Sequence, residues 1–133
     1  MTHTDGALRH RMPCVAALGV TAAIHAAAVP GHVNEWPAAG VFFAVLALAE
    51  VALAAAVAVR PSRPTMAAGA TVSVASAALW AMSRTVGLPV GPQPFAPEAV
   101  ATPDVVATAL EGVAAYLCTR LAAMPRPVPA TTT

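Results

Sequence analysis

The chain has 133 residues, room for one compact domain. Hydrophobic residues make up 58% and charged residues 10%, where a soluble domain carries roughly 25% charged. Six acids against seven bases, all of the bases Arg, leave a net charge of +1 and no basic field, so nucleic acid is excluded as a partner and a lipid bilayer is expected.

Four apolar segments follow in chain order. From Met12 to Asn34 no formal charge appears, only His25 and His32, and a first transmembrane helix is expected over 13–29, stopped by Pro30-Gly31. Residues 1–12 precede it as a cytoplasmic segment. A second helix over 37–60 opens on Pro37, contains the single acid Glu50, and ends at Arg60-Pro61. The third, over 64–84, has Ser62 or Thr65 as its cap and is charge-free until Arg84. The fourth, over 103–124, opens on Thr102-Pro103-Asp104, a cap, a first-turn proline and an acid on the positive dipole end. Residues 125–133, with proline and terminal threonines, read as a disordered cytoplasmic tail. Each segment is near the ~20 residues, at ~1.5 Å each, that cross a ~30 Å hydrocarbon core. None alternates as a strand does, so the expected fold class is all-α, a four-transmembrane-helix bundle.

Arginine placement orients it. Arg9, Arg11, Arg60, Arg63, Arg120 and Arg126 fall on one side of four spans, and Arg84 alone on the other. The positive-inside rule then puts the N-terminus and C-terminus in the cytoplasm, with outer loops at Gly31–Trp36 and Thr85–Thr102. The expected location is the plasma membrane, multi-pass. Arg9-His10-Arg11, an apolar run and Ala26-Ala27-Ala28 also resemble a signal peptide, whose cleavage would leave three spans. Cys14 and Cys118 lie toward the cytoplasmic end without CxxC spacing and read as buried small apolar residues.

Ionisable groups in hydrocarbon cost at least ~2.5–3.5 kcal/mol and call for partners. Counting ~1.5 Å per residue, His25 lies about 8 Å in from Pro30 and Glu111 about 12 Å in from Pro103, so the two can meet between the first and fourth helices. Glu50, about 20 Å in from Pro37, is expected to sit below them, too deep for contact and protonated. Spacings of three and four place Cys14, Leu18, Thr21 and His25 in one row. They do the same for Gly69, Ser73, Ser76, Trp80 and Ser83, and for Asp104, Thr108, Glu111, Ala115 and Cys118. The expected intramembrane polar cluster is His25, Glu50, Glu111, Ser76 and Trp80. Interhelical hydrogen bonding is one role for it.

Three sharper roles remain open beside that one. His25, His32 and Glu35 offer imidazole and carboxylate donors to a transition metal, with Met82 near the same surface. Haem would have only His25 as an imidazole inside the membrane. His25, Glu111 and Glu50 could carry a proton. The proline-rich loop Thr85–Thr102 reads as an ordered lid, fastened by Arg84 to Glu98 or Asp104. Trp36 and Trp80 fit the aromatic belt. No nucleophile motif, phosphate loop or dinucleotide fingerprint is present, and an enzyme would act with His25, Glu35, Glu111 and Arg84 alone. The leading expectation is a non-enzymatic accessory or ligand-binding protein, partnered by another membrane protein or by its own copies. A metal or haem carrier, a proton-coupled transporter and a membrane enzyme are the alternatives.

The run His25-x6-His32-x2-Glu35-Trp36-x3-Gly40-x-Phe42-Phe43, with Trp80-x2-Ser83-Arg84-Thr85-x-Gly87-Leu88-Pro89-x-Gly91-Pro92, resembles small four-helix membrane proteins of high-GC, actinobacterial-type bacteria. Glu98, Asp104 and Glu111 fall where that pattern has acids. The resemblance spans His25 to Glu111 and implies the fold. It implies no chemistry, and the Gln often found there at the Glu50 position argues against a proton path.

Overall fold

Proline sets the corners of this chain. A computed structural model describes residues 3–124, with side chains from residue 10 onward, as four helices: α1 (His3–Glu35), α2 (Pro37–Val59), α3 (Arg63–Thr85) and α4 (Thr102–Ala123). Helix α1 and α2 are separated by Trp36 alone. Pro37 cannot donate a hydrogen bond to continue α1, and it forces the preceding residue out of the helical region. Trp36 accordingly takes φ −153° and ψ 103°, its N–H still reaching the His32 carbonyl at 2.8 Å. Ser62 caps α3 by accepting the Thr65 N–H at 3.2 Å.

Two boundaries differ from expectation. Helix α1 runs through both Pro13 and Pro30, so residues 3–12 extend it and the expected stop at Pro30-Gly31 is absent. An interior proline removes one backbone hydrogen bond and crowds the preceding turn, and apolar helices within a bundle tolerate that loss. The connection expected over Gly31–Trp36 thus shrinks to Trp36. At α4 the N-cap is Ala101, and Thr102 is already helical. The Asp104 carboxylate reaches back to the Ala101 N–H at 3.2 Å, which serves the capping that Thr102 was expected to supply. The tail expected over 125–133 lies outside the described residues.

All four helices are long and apolar enough to cross a membrane. They form a ring in which α1 packs on α2 and α4, and α3 packs on α4 and more sparsely on α2. Helix α1 is therefore integral to the bundle. One end carries Arg11, Arg60, Arg63 and Arg120, and the other carries Arg84. Toward the arginine-rich end lies a core of Cys14, Leu18, Val57, Met66, Leu117 and Cys118. There Arg11 Nε donates to the Val57 carbonyl at 3.0 Å, satisfying one of the orphan acceptors at the end of α2. Near the other end Gly40 is buried where α1 and α2 converge. A Cβ there would come within 2.9 Å of the Val33 backbone, so only glycine permits this approach.

The segment between α3 and α4 is ordered by its own hydrogen bonds. Phe95 N–H meets the Leu88 carbonyl at 2.7 Å, and Glu98 N–H meets the Ser83 carbonyl at 3.0 Å. Gly87 takes φ +73°, with the Phe95–Ala96 backbone filling the space a side chain would need. Gly91 packs against the Trp36 ring. The loop therefore crosses the bundle mouth from the α3–α4 side to the α1–α2 joint.

Candidate cation centre

Helix periodicity brings three ionisable side chains into the interior. His25 continues the row Cys14, Leu18, Thr21, and all four are buried. On α2 the buried residues Gly40, Leu46, Ala47, Glu50, Ala54 and Val57 trace the face turned to the bundle. On α4 they are Ala107, Glu111, Ala114, Leu117 and Cys118. His25, Glu50 and Glu111 are 6%, 0% and 2% exposed, so all three are enclosed by the helices.

The imidazole lies between two carboxylates. His25 Nδ1 and Glu50 Oε2 share a hydrogen bond of 2.9 Å, while His25 Nε2 stands 3.8 Å from Glu111 Oε1. One donor atom from each of the three residues lies within 4.8 Å of the other two. Two carboxylate oxygens, Glu50 Oε1 and Glu111 Oε1, are buried without a hydrogen-bond partner. Ser76 on α3 approaches the Glu111 carboxylate, so all four helices border the centre. Ser73 Oγ and Trp80 Nε1 on the same helix are also buried and unpartnered.

This geometry corrects the expected depth of Glu50. With α1 continuing to Glu35, His25 lies about 15 Å below that helix end, Glu111 about 14 Å below Thr102, and Glu50 about 20 Å below Pro37. The remaining offset of Glu50 is about one helical turn, within the span of a His and a Glu side chain. Glu50 is therefore the direct hydrogen-bond partner of His25, and Glu111 is the more distant of the two acids.

The grouping of His25 with His32 and Glu35 does not form. His32 Nδ1–H donates to the Ala28 carbonyl at 2.9 Å, and the ring packs on Phe43 with centroids 4.2 Å apart. Glu35 is exposed at the end of α1. Phe43 also touches His25, at 5.6 Å between centroids, so one aromatic ring separates the centre from His32. Among the described residues no second imidazole joins the centre, and a bis-His haem site is absent. Met82 is exposed on α3.

At the loop end the expected fastening is present in full. Arg84 Nη1 donates to Glu98 and Nη2 donates to Asp104 at 2.6 Å, so one guanidinium joins the ends of α3, the loop and α4. Two further features were not anticipated: Gly40 against Val33, and Cys14 Sγ 3.1 Å from Cys118 Sγ. The spacings held a signal for the second. From His25 to Cys14 is eleven residues and from Glu111 to Cys118 is seven, each close to a whole number of turns. Compared with known proteins, the chain matches no family model, no curated protein and no solved structure.

Proposed function

We propose that this chain is a four-span protein of the plasma membrane, both termini cytoplasmic, that binds one divalent transition-metal ion between His25, Glu50 and Glu111. The observation that carries this reading is a buried imidazole between two carboxylates, with one donor atom per residue inside 4.8 Å and one oxygen of each carboxylate left without a hydrogen-bond partner. Two ionised carboxylates inside hydrocarbon are expensive, and a divalent cation neutralises both at once. One imidazole nitrogen with two carboxylate oxygens is a borderline donor set, suited to zinc, iron(II) or manganese(II) more than to calcium or copper(I). If these three side chains held zinc with one donor each, a fourth position would remain for an incoming group. Phe43, packed on both His25 and His32, stands as a barrier on the side of the centre toward His32. A role as accessory subunit, with another membrane protein or a second copy alongside, is compatible with this centre.

Elemental analysis of protein purified in mild detergent tests the reading. Close to one equivalent of a transition metal is expected in the native chain, falling to background in Glu50→Gln/Glu111→Gln. Background metal in the native chain, unchanged after dialysis against micromolar zinc, iron(II) or manganese(II), would overturn it. The buried triad would then serve to hold α1, α2 and α4 together. Orientation is tested separately: an introduced Cys at Gln93 should react with an impermeant maleimide from outside, and one at Ser62 should not.

A further inference from the structure

Cys14 and Cys118 play no part in the cation centre, yet their side chains meet directly between α1 and α4. Both are 0% exposed, and their sulfurs lie 3.1 Å apart across 104 residues of chain. A disulfide needs about 2.05 Å, so closing the bond asks for about 1 Å of movement between two packed helices. The neighbouring helix makes room for the sulfur. A Cβ at Gly69 of α3 would meet Cys118 Sγ at 2.8 Å, so glycine leaves the space that lets Cys118 turn toward Cys14. Two buried cysteines serving only as small apolar filler require neither the sulfur approach nor this cradle.

We propose that Cys14 and Cys118 are a redox pair, oxidised by hydrogen peroxide to an intramolecular disulfide that fastens α1 to α4. The first thiol attacks one peroxide oxygen; the O–O bond breaks, a water leaves, and that sulfur becomes a sulfenic acid. The second thiol attacks the sulfenic sulfur; the S–O bond breaks, a second water leaves, and the S–S bond forms. Two thiols lose two electrons and two protons, and one hydrogen peroxide becomes two waters. The burial selects the oxidant. A small neutral peroxide can enter an apolar helix interface, whereas thiol–disulfide exchange needs a bulky partner to reach a sulfur that has no exposed surface. The same burial shields the finished bridge from cytoplasmic thiols. Cys14 shares its helix row with His25, and Cys118 lies two turns from Glu111 on the bundle face of α4, so the bridge also fixes the two helices that meet at the centre.

The test uses the full native chain in detergent micelles, exposed to hydrogen peroxide, then denatured, alkylated and weighed intact. The expected product is a monomer 2 Da lighter that takes no alkyl groups, where the untreated protein takes two. Trypsin should then yield residues 12–84 joined to residues 85–120, since the Arg60-Pro61 and Arg63-Pro64 bonds resist cleavage. Reduction after denaturation should restore both alkylation sites. Retention of both thiols, oxygen addition at one cysteine without a bridge, or a disulfide-linked dimer would each overturn the proposal. Cys14→Ser, left with one cysteine, should lose the 2 Da shift and keep one alkylatable thiol; a 2 Da loss persisting there would trace the shift to another group and overturn the proposal.

Discussion

The hydrogen bond between His25 and Glu50 can be measured by a double-mutant cycle of His25→Ala, Glu50→Ala and the pair. Both side chains are buried and separated by 2.9 Å, so removing either leaves the other as an orphaned polar group. Such an orphan costs about 1–3 kcal/mol beyond the lost packing. Each single variant should therefore be destabilised by at least that much in metal-free detergent micelles, read from unfolding in a titration with sodium dodecyl sulfate. The double variant removes both orphans together and should be less destabilised than the sum of the singles. Interhelical hydrogen bonds of this kind average about 0.6 kcal/mol in membranes and reach about 1.7 kcal/mol. Because this pair is well within hydrogen-bond distance and fully enclosed, the coupling should fall in the upper half of that range. The cycle for His25 and Glu111, 3.8 Å apart and not hydrogen bonded, should give a clearly smaller coupling. Additivity for His25 and Glu50 within about 0.3–0.5 kcal/mol, the scatter of independent sites, would refute the direct contact. A larger coupling for Glu111 than for Glu50 would refute the depth assignment.

Gly40→Ala should destabilise the bundle by about 1–3 kcal/mol, the usual cost of overpacking, because the new methyl meets Val33 backbone atoms that cannot turn aside; thermal unfolding in detergent measures it. Arg84→Lys should free the 86–101 loop, since a single ammonium cannot reproduce the two-armed link to Glu98 and Asp104, and cleavage there by a broad-specificity protease should accelerate. Phe43→Ala should speed metal release to a chelator added outside, because it removes the ring between His25 and His32. Metal at a hundred times its dissociation constant should stabilise the native chain by about 2.7 kcal/mol and leave Glu50→Gln/Glu111→Gln unmoved.

The number of helices and the inward row of α1 were legible in the sequence, because charge avoidance and the 3.6-residue period act locally; on α4 the buried face runs through Ala107, Glu111, Ala114 and Cys118, with Asp104, Thr108 and Ala115 of the expected row only half-buried. Cys14, Leu18, Thr21 and His25 form an inward row as their spacing requires. The link from Arg84 to both Glu98 and Asp104 was legible because a bundle end has few acids for a lone arginine to meet. Glu50 was misplaced for a specific reason. Proline is an uncertain terminator in apolar helices, and stopping α1 at Pro30 shifted the estimated depth of His25 by more than one turn. Gly40 could not be read from spacing, since a glycine within a helix shows its purpose only once the Val33 backbone is placed against it.

The near-absence of a linker between α1 and α2 makes their pairing a local event in the chain. With Trp36 as the whole connection, the two helices close as a hairpin, and that hairpin already contains both His25 and Glu50. Within it Glu50 has its imidazole in place and is no naked acid. Helices α3 and α4 form a second hairpin joined by residues 86–101, and Glu111 faces the far nitrogen of an imidazole whose first nitrogen is already committed. The triad is thereby divided into a pair set by neighbouring stretches of chain and a third member set by the docking of one hairpin on the other.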